Sequence, residues 1–306
     1  MASLSSGNEL ADRHGTPTGD GVGTPAFGVV AYGKLGGLEL GYGSDLDIIF
    51  LHDFPDGDTR TERENQRAID TSLFAQRLAR RIVHLLEIQT GHGRLYEVDT
   101  RLRPSGRSGL LVSRVAAFAR YQHEDAWTWE HQALTRARFV AGDPALGEAF
   151  TDIRRAVLQN AVDRDTLADD VVRMRARMRK ELSQAERGTF DLKQDAGGIA
   201  DVEFLVQYLV LRDGAHAPAV LVWSDNIRQL DSLAAAGSLS TADAEHVQEI
   251  YRAYRRAAHA RALEGHSAPL PRTAFRAARA AVCALWHREL GVDPCAGALD
   301  PDPGDV

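Results

Sequence analysis

The chain changes character about halfway along its length, and this change constrains the fold more than any other sequence feature. Up to about residue 145, short apolar runs alternate with glycine-rich and charged segments; beyond it, apolar residues recur at helical spacing. The first pattern is typical of mixed strands and helices, and the second of packed helices. We therefore expect an α+β protein, with a small mixed β-sheet domain over residues 26–150 and an α-helical domain over residues 151–292.

Apolar runs predict three strands in the first domain. "AFGVVAY" at 26–32 and "LDIIFLH" at 46–52 are short, and the loop between them is rich in glycine. "GRLYEVDTRLRP" at 93–104 alternates in polarity and ends at Pro104, because the residue before a proline prefers an extended backbone. We expect these segments to form the sheet.

Helices are predicted from apolar spacing and from end signals. One begins at Thr61, which stands in capping-box spacing with Glu64, and ends at Gly91. In the second domain, five residues form one apolar helical face: Leu167, Val171, Met174, Met178 and Leu182. Further helices are predicted at 198–213, 224–236, 240–264 and 272–290.

Composition limits the classes of function. The 43 acidic residues outnumber the 36 basic ones, so the chain has no general attraction for nucleic acid or for an anionic membrane. It has no run of 18 apolar residues and no secretory signal pattern, so we expect a cytoplasmic protein. Residues 1–25 and 293–306 lack apolar periodicity, and we expect both segments to be disordered. Cys283 and Cys295 fit no metal-binding spacing, and we expect two separate thiols rather than a disulfide.

The second predicted strand begins with two carboxylates. Asp45 and Asp47 alternate with Leu46 and Ile48, so both aspartates point to one face of the strand and the apolar residues to the other. Aspartate is depleted from strands, and two neighbouring carboxylates repel each other unless a cation lies between them. A cation site is therefore one explanation of this strand.

A third carboxylate lies on the predicted strand 93–104. Alternation places four charged residues on one of its faces: Glu97, Asp99, Arg101 and Arg103. Carboxylates there would hold Mg²⁺ and arginines would neutralise phosphate oxygens. Together the two strands suit a metal-bound polyphosphate.

The Asp-x-Asp pattern alone is a weak signal, since it recurs at 56–58, 163–165 and 300–302. In isolation, Asp45 and Asp47 could equally well end a turn and cap a strand. The preceding loop, with Gly36 and Gly37, favours a phosphate site, because backbone amides can approach phosphate where Cβ atoms are absent. The loop has neither the Walker A nor the G-x-G-x-x-G spacing.

Four long stretches carry a resemblance to a known family. They are "YGKLGGLELGYGSDLDIIF" (32–50), "YEVDTRLRPSGRSGLLV" (96–112), "AWTWEHQALTRARFVAGD" (126–143) and "FDLKQDAGGIADVEFLVQYLVL" (190–211). The chain resembles nucleotidyltransferases of the DNA polymerase β type and, more closely, the bacterial bifunctional glutamine synthetase adenylyltransferase/adenylyl-removing enzymes. The second and third stretches resemble the C-terminal, adenylylating half. The resemblance implies a polymerase β-like domain followed by an α-helical bundle.

The resemblance also implies an activity: Mg²⁺-dependent transfer of AMP from ATP to a tyrosine of glutamine synthetase, which controls nitrogen assimilation. Asp45, Asp47 and Asp99 would be the catalytic residues and would hold two Mg²⁺ ions. Asp99 would activate the tyrosine hydroxyl, as a base or through the second metal. The residues expected to bind the nucleotide are Lys34, Gly36, Gly37, Ser44, Arg101 and Arg103.

Some of these roles have alternatives. The Gly36-Gly37 turn lies closer to the first aspartate than in the broader superfamily, so Gly33-Lys34 could fill its role instead. Lys34 could equally be a solvated loop residue, and Arg101 and Arg103 could form ion pairs with Glu97 and Glu130. We expect core positions for three further residues: Trp127, Trp129 and His131.

Three other functions remain open from the sequence: phosphorolytic removal of AMP from glutamine synthetase, a catalytically inactive nucleotide-binding regulatory module, and a PII-directed uridylyltransferase. The presence of all three aspartates argues against the inactive module, since a dead site does not require clustered acids. The resemblance implies the PII signalling protein and glutamine as effectors. It covers one of the two catalytic halves of the bifunctional enzyme, and the sequence leaves open whether the chain is a fragment.

Overall fold

The structure, a computed structural model, describes residues 2–18, 26–91, 93–94, 96–186, 188–265 and 268–296, with side chains described from residue 8 onward. The described residues form two compact units that divide between Val157 and Leu158. A small mixed sheet is combined with helices, which confirms the α+β class.

The first unit contains the sheet. Its helices are α1 (Ala2–His14), α2 (Gly33–Gly36), α3 (Thr71–Leu86), α4 (Val115–Glu124), α5 (Thr128–Thr135) and most of α6 (Pro144–Asn160). Its strands are β1 (Phe27–Ala31), β2 (Leu46–His52), β3 (Gln89–Thr90), β4 (Gly93–Arg94), β5 (Val98–Asp99), β6 (Val112–Arg114) and β7 (Arg138–Gly142). The strands predicted at 26–32 and 46–52 are confirmed as β1 and β2.

Strand β2 organises the sheet. It pairs antiparallel with β1, which pairs antiparallel with β7. Strand β5 pairs in parallel with the first residues of β2, and β6 with its last residues. The apolar residues Leu46, Ile48 and Phe50 join the core that α3 covers with Phe74 and Leu78. Because side chains alternate, this burial directs Asp47 to the other face.

Helix α1 occupies a segment predicted to be disordered. The described part of residues 1–25 forms a helix and a short extended stretch, while residues 19–25 lie outside the described residues. Leu10 is buried in the core of the unit, Glu9 forms an ion pair with Arg81, and the Gln66 side chain donates to the Ala11 carbonyl at 2.9 Å. Tertiary contacts rather than apolar periodicity therefore stabilise this helix.

The predicted boundaries of α3 are wrong at both ends. The helix begins at Thr71, since the Asp70 side chain accepts hydrogen bonds from the backbone amides of Ser72 and Leu73. The spacing of Thr61 and Glu64 does not start a helix. At the other end the helix stops at Leu86, and the chain then forms the β3–β4 hairpin.

The strand predicted over 93–104 is broken. Among its described residues, only β4 and β5 form strands, and a turn begins at Thr100. The Asp99 carboxylate accepts a hydrogen bond at 2.8 Å from the backbone amide of Arg101, two residues on. Such a local bond is typical of aspartate in turns and ends the strand.

The second unit is helical. Its elements are α7 (Leu167–Leu182), β8 (Thr189–Phe190), α8 (Ile199–Asp213), a 3₁₀ turn (Pro218–Leu221), α9 (Asn226–Ala235), α10 (Thr241–Leu263), β9 (Leu270–Pro271) and α11 (Arg276–Leu290). The five predicted helices are confirmed with ends shifted by up to four residues. Helix α8 contacts α7, α9, α10 and α11, which is consistent with apolar residues around its whole circumference. In the described part of the chain, no helix is both long and apolar enough to cross a membrane.

The two cysteines correct another expectation. Cys283 and Cys295 form a disulfide, with Cα atoms 5.8 Å apart, and both pack beside Ala196. Arg179 donates to the Pro294 carbonyl at 3.2 Å and so helps to hold the segment after α11 against the unit. Residues 293–296 are therefore folded, although the sequence predicts disorder there; residues 297–306 lie outside the described residues.

Candidate active site

Three carboxylates meet at one edge of the sheet. In the parallel pairing of β2 with β5, Asp47 lies directly opposite Asp99, so both side chains leave the sheet on the same side. Asp45 lies just before β2 and two residues from Asp47, so its side chain points to the same face as that of Asp47. Carboxylate oxygens of Asp45, Asp47 and Asp99 all lie within 4.8 Å of one another. The structure thus brings the three predicted acids together, at a spacing that one or two divalent cations can bridge.

The electrostatics of Asp47 indicate a deficit of positive charge. Its pKa is raised from 3.8 to about 6, first by burial and then by the charges of Asp45 and Asp99; Lys34 and Arg101 oppose the rise without cancelling it. An ionised Asp47 is therefore unfavourable in the metal-free protein. A bound cation would remove this penalty, which is the behaviour expected of a metal site.

Gly33 lets the carboxylate of Asp47 approach the backbone. A Cβ atom added at Gly33 would lie 2.3 Å from an Asp47 oxygen, and the residue has a φ of +52°, which favours glycine. The next residue, Lys34, lies near Asp47, and its Nζ is 3.4 Å from the Ser44 Oγ. Gly33, Lys34 and Ser44 therefore border the carboxylates.

A different physical reason explains why residues 36 and 37 are glycines. Their amides donate within the turn, to the carbonyls of Tyr32 at 2.8 Å and Gly33 at 3.0 Å. A Cβ atom at Gly36 would lie 2.1 Å from the carbonyl oxygen of Arg136, and one at Gly37 would lie 2.6 Å from its guanidinium. The missing Cβ atoms make room for Arg136, and this close packing explains both glycines without a phosphate.

Arg101 and Arg103 take separate positions. Arg101 donates from Nε to the Asp99 carboxylate at 2.7 Å, and this ion pair lowers the pKa of Asp99. Arg103 donates to the carbonyls of Thr100 at 2.7 Å and Gly109 at 3.3 Å, within its own loop. Among the described hydrogen bonds, those of Arg101 reach the carboxylate cluster and those of Arg103 do not.

The acids proposed as ion-pair partners of these arginines have other contacts. Glu97 pairs with Arg94. Glu130 accepts hydrogen bonds from the Tyr121 hydroxyl at 2.9 Å and from the backbone amide of Trp127 at 3.0 Å. The alternative pairings of Arg101 and Arg103 with Glu97 and Glu130 are thus wrong.

Comparison with known proteins finds two matching family models and closely similar sequences. Residues 5–153 match the family model for glutamate-ammonia ligase adenylyltransferase, and residues 169–264 match the model for GlnD PII-uridylyltransferase. A protein from Nitrosococcus oceani is 50% identical over 281 residues, covering 90% of this chain and 29% of that protein. A protein from Pseudomonas syringae pv. tomato is 49% identical over 288 residues, covering 90% of this chain and 29% of that protein. Both carry the name bifunctional glutamine synthetase adenylyltransferase/adenylyl-removing enzyme.

The chain belongs to the glutamate-ammonia ligase adenylyltransferase family. Glutamate-ammonia ligase is another name for glutamine synthetase, so the resemblance found in the four stretches is confirmed. The chain spans less than a third of the length of these curated relatives, at 29% of each.

In this adenylyltransferase-family chain, the sequence did not predict the residues that contact the glycine-containing turn 33–37. Arg136 forms an ion pair with Glu39 at 2.6 Å, and only 4% of its side chain is exposed. Arg138 donates to the carbonyls of Leu35 at 3.1 Å and Gly36 at 3.2 Å. The available signal was the pair of arginines in "TRAR" at the end of the third motif, but arginine is frequent in this chain and carried little weight.

The expectation of core positions for the aromatic residues of the third motif is only partly met. His131 is buried, and its ring nitrogen bonds the Gln122 carbonyl at 2.9 Å. Trp127, in contrast, is 71% exposed and Trp129 37% exposed. Trp127 is the residue just before α5, so its side chain lies outside the helix face that packs into the unit.

Proposed function

We propose that the first unit is a nucleotidyltransferase centre of the DNA polymerase β type, which transfers AMP from ATP to a tyrosine of glutamine synthetase. The observation that carries the proposal is the meeting of Asp45, Asp47 and Asp99, from two neighbouring parallel strands, within 4.8 Å. The names of the relatives supply the protein substrate. The second unit would be the α-helical domain of the enzyme, with the domain boundary near residue 150.

The donor set fits Mg²⁺. Mg²⁺ prefers oxygen ligands, and Asp45, Asp47 and Asp99 offer carboxylate oxygens only. The raised pKa of Asp47 supports the fit, since mutual repulsion among acids is relieved when a divalent cation binds. When bound, two such ions polarise the α-phosphate and neutralise the charge of the departing pyrophosphate.

The transfer requires one bond to form and one to break. The tyrosine oxygen forms a bond to the α-phosphorus of ATP, the bond from that phosphorus to the bridging oxygen breaks, and pyrophosphate leaves. The hydroxyl proton, with a pKa near 10, must also leave. We assign its removal to Asp99, whose carboxylate is ionised and becomes accessible when the Arg101 guanidinium moves from it.

Arg101 and Lys34 are the proposed triphosphate ligands. Both lie near the carboxylate cluster, and their positive charges lower the pKa of Asp47, against the effect of burial. Arg101 would exchange Asp99 for phosphate oxygens, to which a guanidinium donates two parallel hydrogen bonds. Ser44, whose Oγ is 3.4 Å from Lys34 Nζ, would orient that lysine. Arg103 would act only through the loop that it holds together.

Regulation belongs to the same proposal. The PII signalling protein and glutamine are the proposed effectors, supported by the likeness of residues 169–264 to the GlnD PII-uridylyltransferase model. In phosphorolytic removal of AMP, an oxygen of inorganic phosphate would form a bond to the phosphorus of the AMP group while the bond from that phosphorus to the tyrosine oxygen breaks. The products would be ADP and the free tyrosine, which regains its proton. The likeness of the motifs to the adenylylating half favours the forward direction.

Incubation of the full chain with Mg²⁺, ATP and purified glutamine synthetase tests the proposal, with intact mass as the readout. We expect addition of one AMP per subunit, and loss of that addition in Asp45→Asn and Asp47→Asn. Asp58→Asn, which changes an exposed loop carboxylate of the same unit, is the matched control and should retain activity. Near-full activity in either site variant would refute the assignment. Adenylylated glutamine synthetase with phosphate, assayed for ADP, separates the reverse reaction.

A further inference from the structure

We propose that Arg138 and the buried Arg136–Glu39 pair are positioning residues, which fix the turn α2 and thereby set the affinity for the nucleotide triphosphate. The inference rests on the proposed function for the identity of that ligand. It concerns contacts that neither the family nor the names of the relatives assign. We call residues 136–138 together with Glu39 the turn support.

Helix α2 is too short to be stable without contacts from other parts of the chain. It is a single turn of four residues, Gly33–Gly36, and a helix of this length is unstable alone because nucleation costs more than one turn returns. Its first residue lies against Asp47, so a shift of the turn would displace groups around the carboxylates. Contacts from elsewhere in the chain must therefore fix it.

Arg138 fixes the end of the turn. Its Nε and Nη2 donate to the carbonyls of Gly36 at 3.2 Å and Leu35 at 3.1 Å. Carbonyls at a helix end otherwise lack partners, and a planar guanidinium can bind two of them at once. The pair of bonds sets both the position and the orientation of the turn.

The Arg136–Glu39 pair fixes the residues that follow. The two side chains are 4% and 12% exposed and 2.6 Å apart. The Arg136 guanidinium also lies against Gly37, where a Cβ atom would come within 2.6 Å. A buried ion pair gains little net stability, since desolvation offsets most of the attraction. Its best-supported use is to specify one arrangement of the chain.

The turn support is anchored to the strands that carry the carboxylates. Arg138 pairs with Ala31 in the β1–β7 ladder, and Ala31 pairs with Ile48 in the β1–β2 ladder. The Tyr32 amide, at the start of the turn, donates to the Asp47 carbonyl at 2.9 Å. One rigid sheet therefore fixes both the acids and the turn, which is the condition for a preorganised phosphate site.

The test compares Arg138→Ala with Arg114→Ala in the full chain. Arg114 is a matched control: it too donates to a carbonyl, that of Phe54 at 2.6 Å, and forms an ion pair, with Asp56 at 2.8 Å. It pairs with His52 of β2, roughly 16 Å along the strand from Asp47. Loss of the two Arg138 bonds should weaken binding of Mg²⁺–ATP by about tenfold or more, which corresponds to about 1.4 kcal/mol or more. Arg114→Ala should leave it unchanged.

Two further readouts separate positioning from general structural damage. For Arg138→Ala we expect the KM for ATP to rise while kcat changes less than twofold, and amide hydrogen exchange over residues 33–39 to rise in the absence of nucleotide. Arg138→Lys should recover part of the affinity. Glu39→Gln, which keeps the shape of the side chain, should raise the same KM if Arg138→Ala fails to fold.

Two results would overturn the inference. One is unchanged nucleotide affinity and unchanged exchange over residues 33–39 in both Arg138→Ala and Glu39→Gln. The other is a loss confined to kcat, which would make Arg138 part of the reaction itself. If the wild-type chain does not bind Mg²⁺–ATP at all, the proposed function fails instead, and the exchange measurement still reports on the turn support.

Discussion

Replacement of Asp47 by asparagine should stabilise the metal-free protein and abolish its response to Mg²⁺. Asparagine has the same shape but carries no charge, so it removes first the cost of burying a charge and then the repulsion from Asp45 and Asp99. The rise of the Asp47 pKa from 3.8 to about 6 corresponds to ~3 kcal/mol of folding free energy before solvent screening is considered. Because the side chain is only half-buried, solvent screening reduces the expected gain to about 1–2 kcal/mol.

The pH dependence of this gain follows from the sign of the shift. Asp47 is ionised in the unfolded chain above pH 4 but in the folded protein only above about pH 6. Its destabilising effect is therefore absent below pH 4, grows between pH 4 and 6, and is complete above pH 6. The difference in stability between the wild type and Asp47→Asn should follow the same course.

Thermal melting of the full chain with and without Mg²⁺ measures the effect. At pH 7.5 without metal, the transition of the first unit should rise by about 3–6 °C in Asp47→Asn, and not in Asp58→Asn. Mg²⁺ at a hundredfold excess over its Kd should add about 2.7 kcal/mol to the wild type and little to Asp47→Asn. A variant that melts earlier than the wild type without metal, or that gains equally from Mg²⁺, would refute the electrostatic reasoning.

Three more predictions follow from individual contacts. Calorimetric titration should show the affinity for Mg²⁺ falling about tenfold per pH unit below about pH 6, because Asp47 must lose its proton to bind; a flat profile would contradict its role. Gly33→Ala should cost more than 2 kcal/mol and abolish Mg²⁺ binding, whereas Gly43→Ala, also at positive φ but in open space, should cost only about 1 kcal/mol. Asp201→Asn should destabilise the second unit by about 3–5 kcal/mol in denaturant unfolding, since its carboxylate pairs with two arginines and is fully buried; a change below 1 kcal/mol would count against that network.

The sequence predicts the elements whose residues carry their own signals. Strand β2 begins and ends where the predicted run 46–52 does, because apolar residues fill it except at Asp47 and at the terminal His52. The helices of the second unit follow from apolar residues at helical spacing. Helix α7 runs from Leu167 to Leu182 as predicted, but only Leu167 and Val171 of its predicted apolar face are buried. Alternation predicted that Asp45 and Asp47 share one face of their strand, whereas the position of Asp99 on the same side depends on the β2–β5 pairing.

Elements held by distant contacts could not be predicted in this way. Helix α1 has weak apolar periodicity and depends on partners more than 50 residues away, such as Gln66 and Arg81. The start of α3 depends on the cap at Asp70, which competed with an equally plausible signal at Thr61. The disulfide joins Cys283 to Cys295, whose spacing fits no motif. For α1 and the disulfide the deciding interaction is tertiary, whereas the start of α3 depends on which of two local caps forms.

The candidate site also combines features that the sequence predicts with features that it does not. The sequence identifies the three acids of the site, but it does not show why residues 36 and 37 are glycines. Their spacing in a glycine-rich loop suggested phosphate, whereas the structure fills the space with Arg136, whose position depends on the β1–β7 pairing. A loop glycine adjoining a ligand and one adjoining a side chain look alike in sequence.

Diffraction from crystals of the full chain grown with Mn²⁺ and an ATP analogue that cannot react tests the central claim most directly. Mn²⁺ substitutes for Mg²⁺ at oxygen ligands and is located by its anomalous signal. The account predicts anomalous density between the carboxylates of Asp45, Asp47 and Asp99, with the triphosphate beside Gly33 and Lys34. Bound nucleotide elsewhere, or Mn²⁺ peaks that avoid these three acids, would contradict it.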